Sequence, residues 1–156
     1  MPWLDQKDFA AAAGVKMNKE EEKLIQKARK VLPLAYAPYS NYKVAAAILT
    51  ADGKIFTGVN VENAAYGLTI CAERAALFSA VSAGHRSFSH LVVASQDGDN
   101  LPFPCGACRQ VLSEFSPDMK IIVTGGEKGK IVRLTLAELL PYSFELQGST
   151  QESEDI

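Results

Sequence analysis

Residues 44–61 read VAAAILTADGKIFTGVNV, and this stretch decides the fold. Residues 44–50 and 55–61 are apolar runs of strand length. The Asp52-Gly53 pair between them is a strong short-range signal for a tight hairpin. The stretch therefore predicts two antiparallel strands joined by a turn.

Three further apolar runs follow along the chain and predict three more strands. They cover residues 91–95, 121–124 and 131–134, and the last two flank a glycine-rich turn. With the opening hairpin, the sequence predicts a sheet of five strands.

Four segments outside the predicted strands carry helix signals. Asn18 and Glu21 have the spacing of a capping box ahead of apolar residues at helical intervals, and Gly84 is suited to end a helix. The predicted helices cover residues 19–32, 71–83, 105–115 and a short segment after Thr135. Strands interleaved with helices predict one α/β domain at residues 18–147, between a flexible extension at 1–17 and a disordered tail at 148–156.

Composition narrows the class of function. The chain has 156 residues, 47% of them hydrophobic, which suffices for one core. Its formal net charge is -2, without the basic stripe of a nucleic-acid-binding protein. It has no apolar run of about 18 residues and no signal-peptide pattern at its amino terminus. We therefore expect a cytoplasmic protein with a small-molecule ligand and without nucleic-acid or membrane partners.

The three cysteines point to a metal or to catalysis, since an odd number does not suit a disulfide framework. Cys105 and Cys108 lie in the run PCGACRQ at residues 104–110, a C-x2-C pattern at the predicted start of a helix. Two thiols at this spacing can chelate one ion. Alone, the pattern also allows a redox dithiol or two packed core cysteines.

Cys71 changes that balance in favour of a metal. The run Cys71-Ala72-Glu73 also opens a predicted helix and offers a third thiol, with a carboxylate two residues away. Three protein ligands leave a fourth tetrahedral position for water, which is typical of catalytic zinc. Zinc lowers the pKa of that water, and a neighbouring carboxylate can take its proton. The pattern predicts a zinc hydrolase with Glu73 as its general acid and base.

The run CAER at residues 71–74, followed by PCGACRQ, closely resembles the paired motifs of the small homotetrameric cytidine deaminases, from about residue 20 to residue 145. The resemblance implies a three-layer α/β/α sandwich around a five-stranded mixed sheet. It implies one Zn2+ per chain on Cys71, Cys105 and Cys108. A zinc-bound hydroxide would attack C4 of cytidine or 2′-deoxycytidine, with Glu73 moving protons and ammonia leaving. It also implies a homotetramer.

The resemblance further assigns residues to the substrate and to the zinc-bound thiolates. The run NVEN at residues 60–63 resembles the nucleoside-binding segment, in which Asn60 and Glu62 hydrogen-bond the ribose 3′-hydroxyl. The backbone of Ala72 would contact the base carbonyl. The remaining assignments are Tyr42 beside the base, Tyr66 near the sugar, Phe144 reaching a neighbouring subunit's site, and Arg74 and Gln110 donating hydrogen bonds to zinc thiolates.

Several residues stand outside these assignments or depart from the family pattern. Arg109 is interpreted as a surface charge, and His85 and His90 as solvent-facing or capping residues. Ala45 stands where the family has Gly, and Tyr42 adds a hydroxyl beside the base. Such changes leave open a modified cytosine or an unusual sugar as the better substrate.

Three alternatives remain open from sequence alone. Another zinc deaminase could act on blasticidin S, a free base or a nucleotide, although the NVEN segment favours a nucleoside. A nucleic-acid editing deaminase shares the zinc core, although the near-neutral charge disfavours it. A structural zinc module would have no use for Glu73 beside its ligands.

Overall fold

In the computed structural model, which describes residues 17–126 and 129–146, five strands form one mixed sheet. Their order is β2-β1-β3-β4-β5, with β3 and β4 parallel and the other neighbours antiparallel. The predicted five-stranded mixed sheet is thereby confirmed. The strands are β1 (Val44–Thr50), β2 (Ile55–Val59), β3 (Phe88–Ser95), β4 (Lys120–Gly125) and β5 (Ile131–Thr135).

Helices cover both faces of the sheet. They are α1 (Lys19–Val31), α2 (Ala72–Ser82), α3 (Gly106–Ser113) and α4 (Leu136–Leu139), with short 3-10 turns at Leu32–Leu34 and Tyr66–Leu68. The Asn18 side chain accepts from the Glu21 amide at 2.8 Å, and the Glu21 carboxylate accepts from the Asn18 amide at 3.2 Å, which is the predicted capping box. None of the described helices combines the length and apolarity that a bilayer span requires.

The two faces of the sheet have separate cores. Ala46 and Ile48 of β1 belong to the cluster that packs against α2, α3 and α4. Ala47 and Leu49 belong to the cluster that packs against α1. Strand side chains alternate between faces, so a strand covered on both sides carries apolar residues in succession, as β1 does from Val44 to Leu49. This arrangement is the predicted three-layer α/β/α sandwich.

The predicted terminal segments lie mostly beyond the described residues. Nothing described bears on residues 1–16 or 147–156, so the flexible extension and the disordered tail stay predictions. Met17, assigned to the extension, packs against the α1 core. The folded domain therefore includes Met17.

A glycine sets the distance between β2 and α2. A Cβ atom on Gly58 would lie 2.3 Å from the Ala76 backbone nitrogen and 2.5 Å from the Ala72 carbonyl oxygen. The helix backbone therefore packs directly on the strand at this point, and only glycine fits. This contact fixes the first turns of α2, which begin directly after Cys71.

Strand ends differ from the predicted limits. β2 ends at Val59, not at 61, because the Asn60 side chain bonds to the backbone before β1, while Val61 makes separate bridges to Tyr36 and Ile70. β3 begins at Phe88 rather than 91, because Phe88 pairs with Thr50 and His90 with Leu49 of β1. Partners far away along the chain thus decide both limits.

Candidate active site

The three cysteine thiols meet where the first turns of α2 and α3 come together. The Cys71 and Cys105 sulfurs are 3.8 Å apart, those of Cys105 and Cys108 are 3.5 Å apart, and all three lie within 4.8 Å of one another. Sulfurs bound at 2.3 Å to a tetrahedral zinc lie about 3.8 Å from each other. The cluster therefore has the donor atoms and the spacing that a zinc ion requires.

The helix ends explain why the thiols meet here. Cys71 is the residue before α2, and Cys105 is the residue before α3, while Cys108 lies one turn into α3. Residues three apart on a helix share a face, so Cys108 returns to the side of Cys105. Both sulfur-bearing ends are helix N-termini, whose free N–H groups and positive dipole ends stabilise thiolates.

Arg74 and the neighbouring thiols stabilise negative charge on Cys71. Hydrogen bonds from the Cys108 thiol and from Arg74 lower the pKa of Cys71 to about 5, against the opposing effect of burial. The Arg74 Nη2 atom lies 3.5 Å from the Cys71 sulfur and donates to the Thr69 carbonyl at 3.3 Å. The pairing with the Cys71 thiolate, together with burial, raises the pKa of Cys108. Arg74 thus lies within hydrogen-bonding reach of one thiol of the cluster.

Glu73 places a buried carboxyl group beside the thiols. It lies in the first turn of α2 and is only 4% exposed. Burial, helped by the negative charge of Cys71, raises the pKa of Glu73 to about 7, and a hydrogen bond with the Cys108 thiol opposes this rise. A carboxyl group with this pKa exchanges a proton readily near neutral pH.

Asn60 and Glu62 hold the segment that leads into β1, which we call the 39–44 loop. The Asn60 side chain accepts from the Val44 amide at 2.9 Å and donates to the Tyr42 carbonyl at 2.9 Å. The buried Glu62 carboxylate accepts hydrogen bonds from the Tyr39 amide at 2.8 Å and from Ser40. Both side chains, which the resemblance assigns to the ribose, therefore also hold the protein's own backbone in place.

The sequence of residues 18–124 matches the family described as the cytidine and deoxycytidylate deaminase zinc-binding region. The chain belongs to this deaminase family. The family and its zinc-binding region, predicted above from the paired cysteine motifs, are thereby confirmed.

Two sequence relatives and one crystal structure support this membership. The cytidine deaminase of Sporosarcina psychrophila is 45% identical over 133 residues, which cover 85% of this chain and 97% of that protein. The probable cytidine deaminase of Dictyostelium discoideum is 46% identical over 139 residues, covering 88% and 93%. The crystal structure of the cytidine deaminase from Burkholderia pseudomallei matches with a TM-score of 0.75 and 45% identity over 82% of this chain and 100% of that one.

Within this deaminase, Gln110 differs from its predicted role. Its side-chain amide donates to the Phe144 carbonyl at 2.9 Å and not, among the described hydrogen bonds, to a thiol. The reason is helical geometry, since two residues along a helix turn Gln110 about 200° away from Cys108. Gln110 instead holds the C-terminal segment against α3.

The other predicted substrate residues occupy different environments. Ala72 is the buried first residue of α2, where a backbone N–H has no partner within the helix. The half-buried Tyr42 donates its hydroxyl to the Asn100 carbonyl at 2.8 Å. Tyr66 and Phe144 are 66% and 69% exposed in the single chain. The Tyr42 hydroxyl that departs from the family pattern therefore contacts a neighbouring loop.

Arg109, interpreted above as a surface charge, is a structural residue. Its guanidinium donates to the Pro104 carbonyl at 2.7 Å and to the Leu139 carbonyl at 2.8 Å. It thereby ties the residue before Cys105 to the end of α4. Its partners are backbone carbonyls, which carry no sequence signal.

The two histidines are more enclosed than predicted. His90 is buried in β3, its Nδ1 atom 3.0 Å from the Ser89 hydroxyl, and burial lowers the pKa of His90. The ring centroids of His85 and Phe56 are 5.2 Å apart, and the His85 Nδ1 atom lies 3.3 Å from an Asp52 carboxylate oxygen. The solvent-facing interpretation is wrong for His90, since a central strand buries both of its faces. Neither histidine belongs to the described thiol cluster.

Proposed function

We propose that the chain is a zinc-dependent hydrolase that converts cytidine and 2′-deoxycytidine to the uridine products and ammonia. The observation that carries this proposal is the buried Glu73 carboxyl beside three thiols at zinc-ligand spacing, in a chain of the cytidine deaminase family. The relatives reported above are named as a cytidine deaminase and a probable cytidine deaminase, which supports the deamination of cytidine.

Cys71, Cys105 and Cys108 would hold the zinc ion. When bound, zinc supplies Lewis acidity that activates water as a nucleophile at neutral pH. Three thiolates place three negative charges on one dication, and this weakens its Lewis acidity. The hydrogen bond from Arg74 to the Cys71 sulfur would withdraw part of that charge.

Glu73 would hold and move the protons of the reaction. It takes a proton from the attacking water and delivers it to N3 of the pyrimidine as the new C–O bond forms at C4. The remaining proton then goes to the exocyclic amine, the C4–N4 bond breaks, and ammonia leaves. Its burial supports this role because no bulk water competes at the carboxylate.

The nucleoside would lie between the helix start and the 39–44 loop. The free N–H of Ala72 suits the base carbonyl, and Tyr42 would lie against the base. Glu62 would accept a hydrogen bond from the ribose 3′-hydroxyl through the carboxylate lone pair that its loop contacts leave open. Asn60 would donate a hydrogen bond to the same hydroxyl through its remaining side-chain N–H. Tyr66 would lie near the sugar.

We propose a homotetramer, in which Phe144 reaches the site of a neighbouring copy. Large apolar side chains lie exposed around the two 3-10 turns, among them Leu34 at 73% and Leu68 at 67%. Clustered apolar side chains of this kind are typical of a surface that another protein chain covers. The three free thiols suit a reducing compartment, so we place the protein in the cytoplasm.

The test is ultraviolet monitoring of cytidine, 2′-deoxycytidine and free cytosine, with zinc quantified in the same sample. We expect turnover of both nucleosides, little turnover of cytosine, and about one zinc per chain. Glu73→Gln should retain zinc and lose nearly all turnover, whereas Glu114→Gln, at an exposed site, should leave both unchanged. A zinc-loaded wild-type enzyme that converts neither nucleoside would refute the proposal.

A further inference from the structure

Ser40 links the Glu62 carboxylate to the 39–44 loop. Its hydroxyl donates to Glu62 Oε1 and accepts the backbone N–H of Tyr42 at 3.0 Å. We propose that Ser40 is a positioning residue, which fixes the direction of the Glu62 carboxylate and thereby the recognition of the sugar 3′-hydroxyl. This inference rests on the proposed deamination of nucleosides.

The two oxygens of Glu62 are held by different kinds of partner. Oε2 accepts hydrogen bonds from the backbone amides of Tyr39 at 2.8 Å and Ser40 at 3.2 Å, and Ser40→Ala leaves both donors in place. Oε1 receives only the Ser40 hydroxyl among the described hydrogen bonds. A carboxylate oxygen has two lone pairs, so Oε1 keeps one acceptor position for a ligand. The Ser40 hydroxyl sets where that position points.

The surroundings of Ser40 indicate that its hydroxyl serves Glu62 rather than packing. Ser40 is exposed, whereas Glu62 is 7% exposed. The turn of the loop comes from the next residue, Asn41, which has a φ of 56° and donates its amide to the Ala37 carbonyl at 3.0 Å. Asparagine tolerates this left-handed conformation. Removing the hydroxyl therefore takes one partner from Glu62 and the acceptor from the Tyr42 amide, while the Asn41–Ala37 contact that makes the turn remains.

The change to test is Ser40→Ala, measured on two substrates that differ only in the sugar 3′-hydroxyl. The kcat/KM values for 2′-deoxycytidine and 2′,3′-dideoxycytidine give a preference ratio. Hydrogen bonds to charged groups are the stronger class, so we expect Ser40→Ala to lower this ratio roughly tenfold. Most of the loss should appear as a higher Michaelis constant for the substrate that carries the hydroxyl, and the dideoxy substrate should be little affected.

Two single variants separate positioning from general destabilisation. Ser40→Thr retains the hydroxyl and should keep most of the wild-type ratio. Ser116→Ala removes another serine hydroxyl that accepts a backbone amide, that of Phe88 at 2.9 Å. It should lower the melting temperature without changing the ratio.

A double variant tests whether Ser40 acts through Glu62. Adding Ser40→Ala to Glu62→Gln should produce no further fall in the ratio, because coupled residues are not additive. An equal loss on both substrates, or additive effects in the double variant, would overturn the role of Ser40. A wild-type enzyme that deaminates both substrates equally well would overturn it too. A zinc-loaded wild type without turnover of either would instead refute the proposed function itself.

Discussion

Gly58→Ala is expected to disturb the site without touching any proposed catalytic group. The new methyl carbon would lie 2.3 Å from the Ala76 nitrogen, 2.5 Å from the Ala72 carbonyl oxygen and 2.8 Å from the Ala75 carbonyl carbon. All three contacts are to helix backbone, which cannot rotate away as a side chain can. Relief therefore requires α2 and β2 to separate.

The size of the effect follows from these distances. Non-bonded contacts of carbon atoms are favourable only from about 3.5 Å, whereas the new methyl carbon would lie 2.3 to 2.8 Å from the helix backbone. The helix must therefore move away from the strand by about 1 Å. Overpacking of this kind typically costs about 2 to 3 kcal/mol, which lowers the melting temperature of a chain of this size by roughly 4 to 12 °C. Because Cys71 and Glu73 lie at the start of α2, a displacement of that size should lower kcat/KM by up to about a hundredfold.

The assay combines thermal melting with cytidine turnover on zinc-loaded protein. Gly98→Ala is the matched control, since a Cβ there meets nothing within 4 Å, and its melting temperature should stay near the wild-type value. A Gly58→Ala variant with wild-type melting and wild-type turnover would show that β2 and α2 do not pack as described.

Three further outcomes are expected. Cys105→Ala should lower zinc content and melting temperature together, measured by metal analysis and calorimetry; wild-type values of both would reject Cys105 as a ligand. Arg74→Gln should weaken zinc binding by roughly 10- to 100-fold in chelator competition, because Cys71 loses its donor; unchanged affinity would rule out charge withdrawal. The hydrogen bonds from Arg133 lower the pKa of Glu21 in the folded protein below its ordinary 4.5. The ionised Glu21 therefore stabilises the folded state above pH 4.5, and this stabilisation is lost as the pH falls through the folded-state pKa. Glu21→Gln should therefore melt below wild type at pH 7 and approach it in acid, and a constant difference would contradict the pairing.

The central sheet and the thiol cluster were accessible from sequence because their signals are local. The Asp52-Gly53 turn, the apolar runs and Gly84 each depend on near neighbours. The spacing of Cys105 and Cys108 lies within one helical turn. Cys71 has a comparable local signal, because the run Cys71-Ala72-Glu73 opens a predicted helix and pairs a thiol with a carboxylate.

The parts that sequence missed depend on backbone groups brought from far along the chain. Arg109 bonds to two carbonyls, and Asn60 ends β2 early by bonding to the backbone of the 39–44 loop. Backbone carbonyls and amides occur at every residue, so the sequence does not mark which of them a side chain will meet. His90 was misjudged because polar and charged neighbours hid its place on a buried strand.

The strand order has a consequence for how the protein folds. β1 pairs with β3, and β2 and α2 lie between them along the chain, so that pairing closes a long loop that contains Cys71 and Glu73. α3, which carries Cys108, lies in a second loop closed by the parallel pairing of β3 with β4. Closing long loops is slow because chain entropy is lost before contacts form. In the folded protein the thiols meet across both loops, so metal binding and the closure of these loops should stabilise each other.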